Sequence, residues 1–454
     1  MKLDEPHRRR LMSLPRNLLR ELQLRKLNAL LQSVLPENRF YADKFAGLPQ
    51  RLNSLDQLEQ LPFTTKQELV SDDPAGLARN LTSSPDRYSR FHRTSGTHGR
   101  PMTILDTAED WQWWVETWQY VLDAASICAD DRVAMAFSFG PFIGFWSAHD
   151  AVIARGALVV PTGGMSSLAR LDVIQSMECT AVFCTPSYAL HLAEVARREQ
   201  IDLRKNAVRA LIVAGEPGGS IPTVRQQIED AWNATVFDHC GATEVGPWGF
   251  ADKDRRGIII NEAEFIAEFA AVEQSIDASS QNRRSLSTIN LVIEDNRGLT
   301  PSLGDSFFEL VLTTLGRTGA PVIRYRTGDL VRPFVKIESE SCCWVLLDGG
   351  VLGRIDDMIM VRGVNIYPSS VEQIVREFSE VNEYRLVVRK RGSLDHLTVE
   401  VEDGDADSGR IAERLNLRLG LNVDVVRVPL GSLPRSEFKA QRFVDLRGNP
   451  EGNA

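Results

Sequence analysis

The sequence predicts an α/β protein: a large N-terminal domain of β-sheets flanked by helices, followed by a small α+β domain. Three observations carry that prediction. Between residues 131 and 237, five apolar runs (133–137, 157–161, 181–185, 210–214 and 235–237) alternate with helical segments, the beat of parallel strands joined by helix crossovers. Past Gly353 the pattern changes to short strands and two helices, 369–378 and 408–419. At 454 residues the chain is too long for one simple core, so two domains are expected, 1–352 and 353–454, with the boundary between 349 and 357.

The elements follow in order. Leu19, Leu22, Leu27, Leu30, Leu31 and Val34 recur at helical spacing over 17–35, and Pro36 closes them into an amphipathic helix. Strand-like runs at 88–92 and 102–105 flank a loop rich in glycine and hydroxyl groups. After Asp106-Thr107 a second helix places Trp111, Trp114, Trp118 and Leu122 on one face, which reads as packing rather than as a ligand channel. The polar stretch 277–287 reads as an exposed loop.

Composition excludes several classes. The chain is 43% hydrophobic and 25% charged, and its net charge of -9 argues against general affinity for nucleic acid or anionic membrane. The six cysteines form no CxxC pair and the seven histidines no HxxxH, so no structural metal site is expected. Cys342 and Cys343 lie in an apolar run and read as buried thiols. Residues 1–10 are charged and lack the apolar core of a signal peptide. The longest apolar stretch, 133–148, is shorter than a membrane span and is interrupted by Gly140, Pro141 and Gly144. A cytoplasmic protein is expected.

Five segments carry chemistry. In Thr94-Ser95-Gly96-Thr97-His98-Gly99-Arg100-Pro101, backbone amides around the glycines can close on an anion while Ser95 and Thr97 donate further hydrogen bonds. No Gly-Lys-Ser/Thr follows, so it is not a Walker loop. Val213-Ala214-Gly215-Glu216-Pro217 ends a buried strand in a tight turn, where open α/β sheets bind ligands. Asp238-His239-Cys240-Gly241-Ala242-Thr243-Glu244 ends the next strand with a hydroxyl and a carboxylate just past a glycine. Ile323-Arg324-Tyr325-Arg326-Thr327-Gly328-Asp329-Leu330 puts an acid in a glycine turn after a strand, and Gly353-Arg354-Ile355-Asp356-Asp357 follows. Near the C-terminus, Pro434-Arg435-Ser436-Glu437-Phe438-Lys439-Ala440 presents one lysine among small and polar residues.

In this order and spacing the set resembles the adenylate-forming superfamily, and within it the phenylacetate–CoA ligase branch. Asn38-Arg39-Phe40-Tyr41, Leu61-Pro62-Phe63-Thr64-Thr65-Lys66, Cys184-Thr185-Pro186-Ser187-Tyr188 and Arg435-Ser436-Glu437 point to that branch, and the match runs from about 18 to 445. The resemblance implies ATP, Mg²⁺ and coenzyme A. The loop from Thr94 through Ser95, Gly96 and Thr97 to Gly99 is expected to hold the β- and γ-phosphates, Thr243 the α-phosphate, and Glu244 the Mg²⁺. Ala214, Gly215 and Glu216 would wall the adenine slot, with Asp238 and Gly241 also on the nucleotide. Asp329 would take the ribose hydroxyls, with Arg354 close by. Lys439 would bridge the substrate carboxylate and α-phosphate, offsetting charge as the acyl-adenylate forms. Asp356 matches the hinge about which the family's small domain swings. Phe137, Phe139, Phe142, Ile143 and Trp146, with Gly241 and Ala242, fall where the family binds the acyl group, and an aromatic wall suits an aryl or arylacetic acid.

The sequence departs from the family at four places. His98 replaces a threonine, Cys240 a tyrosine and Phe438 a glycine, and the region 266–304 is longer and more polar. The activity expected is ATP-dependent ligation of a carboxylic acid to a thiol, that of coenzyme A or of a carrier protein, with a homodimer among the assemblies. A non-catalytic adenylate-binding scaffold is the reading that Cys240 and Phe438 favour, and the intact Ser95, Thr97, Glu244, Asp329 and Lys439 oppose it.

Overall fold

A computed structural model describes residues 4–72, 74–94, 101–137, 140–272, 288–289, 307–334, 342–355, 357, 359–362, 364–378, 380–391, 394–402, 407–434 and 442–447. Ser95 to Gly99, Phe139, the 277–287 stretch, Asp356, Phe438 and Lys439 lie outside the described residues.

The leucine-rich helix forms over Arg16–Val34 and buries Leu19, Leu27, Leu30, Leu31 and Val34, with Leu22 half-buried. Strands β1 (Arg90–Arg93) and β2 (Thr103–Asp106) pair antiparallel, Arg90 opposite Asp106, so the glycine-rich segment does link two strands. Thr107 opens the helix Ala108–Ala124 through a capping box with Asp110, satisfying backbone donors at its first turn. Trp111, Trp114 and Trp118 are buried, and each indole N–H has a partner: Asp150 at 2.7 Å, Asp106 at 3.2 Å and Ser147 at 2.9 Å. The stripe is packing.

Five strands run parallel, each separated from the next by a helix: β3 (Arg132–Met135), β4 (Leu158–Pro161), β5 (Ala181–Cys184), β6 (Ala210–Val213) and β7 (Thr235–Ala242). Every residue of β5 and β6 is buried, as expected for strands covered on both faces. β7 outruns its predicted length. Its first half pairs parallel with β6, and its second half pairs antiparallel with β8 (Gly246–Ala251).

From that reversal the sheet continues antiparallel through β9 (Gly257–Ile260), β10 (Phe265–Ala271), β11 (Thr288–Ile289), β12 (Phe308–Thr314), β13 (Tyr325–Phe334) and β14 (Leu346–Arg354). The twelve strands lie in the order β11-β10-β12-β13-β14-β9-β8-β7-β6-β5-β3-β4. Asp329 lies inside β13, beside a register shift and after Gly328 at φ +75°, rather than in a turn following a strand. Two strands pinned on both sides of the bulge keep the chain extended where local composition reads as a turn. Cys342 and Cys343 are half-buried rather than buried, and Cys343 N–H donates to Met12 O at 2.8 Å.

Beyond β14 the chain builds a separate core. β15 (Ile359–Val361) pairs with β16 (Val364–Ile366). β17 (Glu383–Arg391), β18 (Leu394–Glu402), β19 (Asp424–Val428) and β20 (Phe443–Asp445) form a four-stranded sheet in the order β19-β18-β17-β20. The helices Pro368–Val375 and Ser408–Leu419 pack on it through Val371, Ile374, Val375, Ile411 and Leu415.

Candidate functional site: the crevice where the sheet reverses

The parallel strands deliver their carboxyl ends to one edge, the side on which open α/β sheets bind ligands, and there β7 passes from parallel pairing with β6 to antiparallel pairing with β8. At the end of β6, Gly215 takes φ +93°, a conformation that strains any residue with a Cβ. Glu216 accepts a 2.7 Å hydrogen bond from Ser187 N–H, capping the helix Pro186–Arg198. This cap fixes the turn and commits the Glu216 carboxylate to the scaffold.

Asp238 follows on β7, opposite Val213. It accepts from Ser220 Oγ at 2.5 Å and from His239 N–H at 3.0 Å. Burial pushes its carboxyl up to about 6, against those hydrogen bonds. Gly219 comes so close that a Cβ would sit 2.6 Å from Asp238 Cγ. Next to Asp238, burial raises the Cys240 thiol well above its ordinary value, and the charges of Asp238 and Asp329 raise it further. The thiol is therefore protonated, and it lies within electrostatic reach of the two carboxylates expected around the nucleoside.

Asp329 on β13 and Arg354 on β14 are cross-strand partners and form an ion pair, Nη1 to Oδ1 at 2.8 Å. Thr327 Oγ1 accepts from Asp329 N–H at 3.0 Å, and Ile355 N–H donates to Gly328 O at 2.8 Å, which fixes the bulge. Ser369 of the terminal helix reaches this strand: a Cβ on Gly353 would lie 2.5 Å from Ser369 Oγ. On the same helix, burial raises the Glu372 carboxyl; Arg442 and Arg376 oppose the rise and Glu216 adds to it. The terminal helix thus sits within electrostatic range of the β6 turn.

The β7–β8 turn presents Thr243 and Glu244. Gly241 is exposed, and Gly246 at φ +131° packs so tightly that a Cβ would meet Trp113 at 2.8 Å. The Glu244 side chain is only 8% exposed and pairs with Lys66 Nζ at 2.9 Å. Lys66 heads a short helix capped by Thr65, and Thr64 is held by backbone hydrogen bonds, its N–H donating to Arg324 O and its carbonyl accepting from Arg326 N–H. The sequence marked Lys66 as part of a motif; its contact with Glu244 had no local signal. Thr94 closes the neck of the β1–β2 loop, with its N–H donating to Met102 O and its Oγ1 accepting from Met102 N–H.

Magnesium and nucleotide can be tested against these residues. Mg²⁺ binds through one or two carboxylates plus substrate phosphates and needs no all-protein cage. Among the described residues no His, Cys, Asp or Glu cluster could hold a metal by itself. Glu244 nevertheless offers one hard carboxylate already facing a cation, in the residue that follows Thr243. The donor set fits.

The expected acyl wall lies at the start of the helix Ile143–Arg155. Phe137 meets Phe145 edge-on at 6.4 Å, and Phe145 meets Trp146 at 5.3 Å. Trp146 Nε1 donates to Gly140 O, while Phe142 is 39% exposed over Gly140. His149 pairs with Asp150 at 2.9 Å and stacks on Phe145. His239 is buried against Trp118, and burial lowers it to about 4, so it is a neutral scaffold group.

A reversing sheet with an acid–arginine pair and a carboxylate turn at the strands' carboxyl ends is suited to holding a nucleotide. Residues 42–262 match the AMP-binding enzyme family and residues 363–447 the AMP-binding enzyme C-terminal domain. The phenylacetate-coenzyme A ligase of Escherichia coli (strain K12) is 30% identical over 448 residues, spanning 94% of this chain and 95% of that protein. The chain belongs to the phenylacetate–coenzyme A ligase family of AMP-binding enzymes. Among solved structures, 2-hydroxyisobutyryl-CoA ligase in the postadenylation state with 2-HIB-AMP is 26% identical at a TM-score of 0.83, covering 98% of this chain and 93% of that one. The same ligase in the thioesterification state, with 2-HIB-AMP and CoA, matches at 0.67 and the same identity, covering 98% and 94%. Among the described residues no helix is long and apolar enough to cross a membrane.

Proposed function

We propose that this chain activates an aryl or arylacetic acid with ATP, forming an acyl-adenylate and pyrophosphate, and then transfers the acyl group to coenzyme A with release of AMP. The observation that carries the reading is the Asp329–Arg354 pair on the crevice edge, in a chain related over nearly its whole length to phenylacetate-coenzyme A ligases.

The residue roles follow from charge. A carboxylate must attack an anionic α-phosphate, and that repulsion has to be relieved where the bond forms. Lys439 supplies one positive charge there; Glu244 would help hold Mg²⁺, which when bound would supply Lewis acidity at the leaving pyrophosphate. Thr243 orients the α-phosphate, and Ser95, Gly96, Thr97 and Gly99 cradle the β- and γ-phosphates. Ala214, Gly215 and the Glu216 backbone wall the adenine, with Asp238 behind them, and Asp329 accepts from the ribose hydroxyls while Arg354 holds its orientation. Gly241 and Ala242, with Phe137 and Phe142, border the acid.

Residues 1–352 would then act as the nucleotide and acid domain, and residues 353–454 as a swinging lobe hinged at Asp356. The closer likeness to a postadenylation state than to a thioesterification state supports two arrangements of these lobes. A cytoplasmic location follows from this substrate set.

The test is a panel of aryl and arylacetic acids with Mg·ATP and either coenzyme A or a holo carrier protein, with thioester and AMP measured. Thioester on coenzyme A is expected; AMP formation with thioester only on the carrier would move the acceptor, and neither product with any acid would leave the scaffold reading. Lys439→Ala is expected to lower adenylation by about 10²–10³-fold or more while sparing thioester formation from supplied acyl-adenylate. Equal loss of both steps would contradict the swinging lobe.

A further inference from the structure

A fully buried ion pair lies beneath the β7–β8 turn. Arg317 and Asp106 are both fully buried, with Arg317 Nε donating to Asp106 Oδ1 at 2.8 Å. The other arm of the guanidinium spans the turn from below, Nη1 donating to Thr243 O at 3.0 Å and to Glu244 O at 2.9 Å. Asp106 is the last residue of β2, and its second oxygen faces His92 of β1 at 3.7 Å. Burial works to raise the Asp106 carboxyl, but Arg317 and then His92 hold it below the ordinary carboxylate range, so the pair is charged. One side chain therefore connects the hairpin that carries the glycine-rich loop to the turn that carries Thr243 and Glu244.

The segment delivering Arg317 has no slack. A Cβ on Gly316 would lie 2.2 Å from Trp113, and one on Gly319 would lie 2.2 Å from Asp110 Oδ2. Asp110 accepts from Thr318 N–H at 2.8 Å and Gly319 N–H at 3.1 Å, and the guanidinium lies over Trp114 at 5.4 Å. The helix Ala108–Ala124 thus clamps the loop on both sides of Arg317. The planar fork can hold one carboxylate and two carbonyls at once, a geometry that a lysine ammonium on a flexible stem does not reproduce.

We infer that Arg317 is a positioning residue of the adenylation half-reaction: by gripping the Thr243 and Glu244 carbonyls against Asp106, it sets the carboxylate turn in register with the β1–β2 hairpin. The inference rests on the roles proposed for Thr243 and Glu244. Partners that orient a metal-binding group characteristically change metal affinity by about 10–100-fold when altered.

The experiment compares Arg317→Lys, Glu244→Gln and the native enzyme by calorimetric titration with Mg·ATP, and separately with ATP in EDTA, without acid. Arg317→Lys is expected to weaken Mg·ATP binding by about 10–100-fold while changing metal-free ATP far less, and to leave thioester formation from supplied acyl-adenylate intact. Should the lysine variant not fold, the doubly neutral Asp106→Asn/Arg317→Gln variant removes both buried charges together, and the same selective weakening is expected of it. A folded Arg317 variant whose Mg·ATP affinity matches the native enzyme, while Glu244→Gln is weakened, overturns the inference and leaves the proposed site standing. Unchanged affinity in Glu244→Gln overturns both.

Discussion

The two halves of the large sheet are held together by different means. In the parallel half, β5 and β6 are buried end to end, and Val182, Leu211, Val213, Ile228 and Trp232 fill one apolar cluster. In the antiparallel half, ion pairs join segments far apart in sequence: Arg317 with Asp106 and Arg324 with Glu268, both buried, and Arg16 with a buried Glu262. Apolar strands need only the right pattern and volume. Buried pairs add little net stability but are costly to break on one side, so they specify register more than they stabilise. Register is what the proposed nucleotide site needs, and Asp329 and Glu244, two of the residues proposed for it, lie on or beside the antiparallel strands.

The largest stability effect is expected where one half of such a pair is removed. Arg324 donates to both oxygens of Glu268, and it also bonds the carbonyls of Glu59 and Leu61 and covers Phe63. Arg324→Met leaves the Glu268 carboxylate buried without its cation and is expected to cost about 3–5 kcal/mol in urea unfolding. The matching cut in the parallel half is Leu211→Ala, which opens a cavity among apolar neighbours and should cost about 2–4 kcal/mol. If Arg324→Met costs less than Leu211→Ala, the contrast between the halves is wrong.

A pH effect of similar size divides the crevice itself. His239 titrates near 6.5 when unfolded and at about 4 in the fold, so between those values only the unfolded chain binds its proton, and stability falls as pH falls. Asp238 does the opposite between 3.8 and about 6, where only the folded carboxyl is protonated, so the two nearly cancel. Asp238→Asn removes one side of that balance. The variant should lose about 3 kcal/mol of unfolding free energy between pH 6.5 and 4, while the native protein changes much less. Parallel pH profiles would contradict the assignment. The smallest effect is expected at the surface: Arg20 pairs with Asp56 in the open, and Arg20→Ala should change stability by about 0.5 kcal/mol or less.

The same contrast explains what the sequence made legible. Four of the five parallel strand runs, both terminal helices and the leucine and tryptophan helices stand near their predicted limits, because each is specified by the local period of apolar residues, whereas β7 runs on into its antiparallel pairing with β8. The glycine turn at Gly215 and the Asp329–Arg354 proximity were readable from motif order. Arg317 was not, since Gly-Arg-Thr-Gly looks like any exposed turn until its neighbours, 211 residues away at Asp106, are in place. Lys66 against Glu244 and the strand position of Asp329 likewise depend on pairings between distant segments. Local chemistry is written locally, and the register that brings it together is not.

The most direct measurement is a crystal structure with a non-hydrolysable sulfamoyl analogue of an aryl acyl-adenylate. The account predicts adenine against the Gly215 turn, ribose hydroxyls on Asp329, and the acyl group toward Phe137 and Phe142. Analogue bound elsewhere, or a crevice between β6, β7 and β13 that stays empty at saturating concentration, would contradict it.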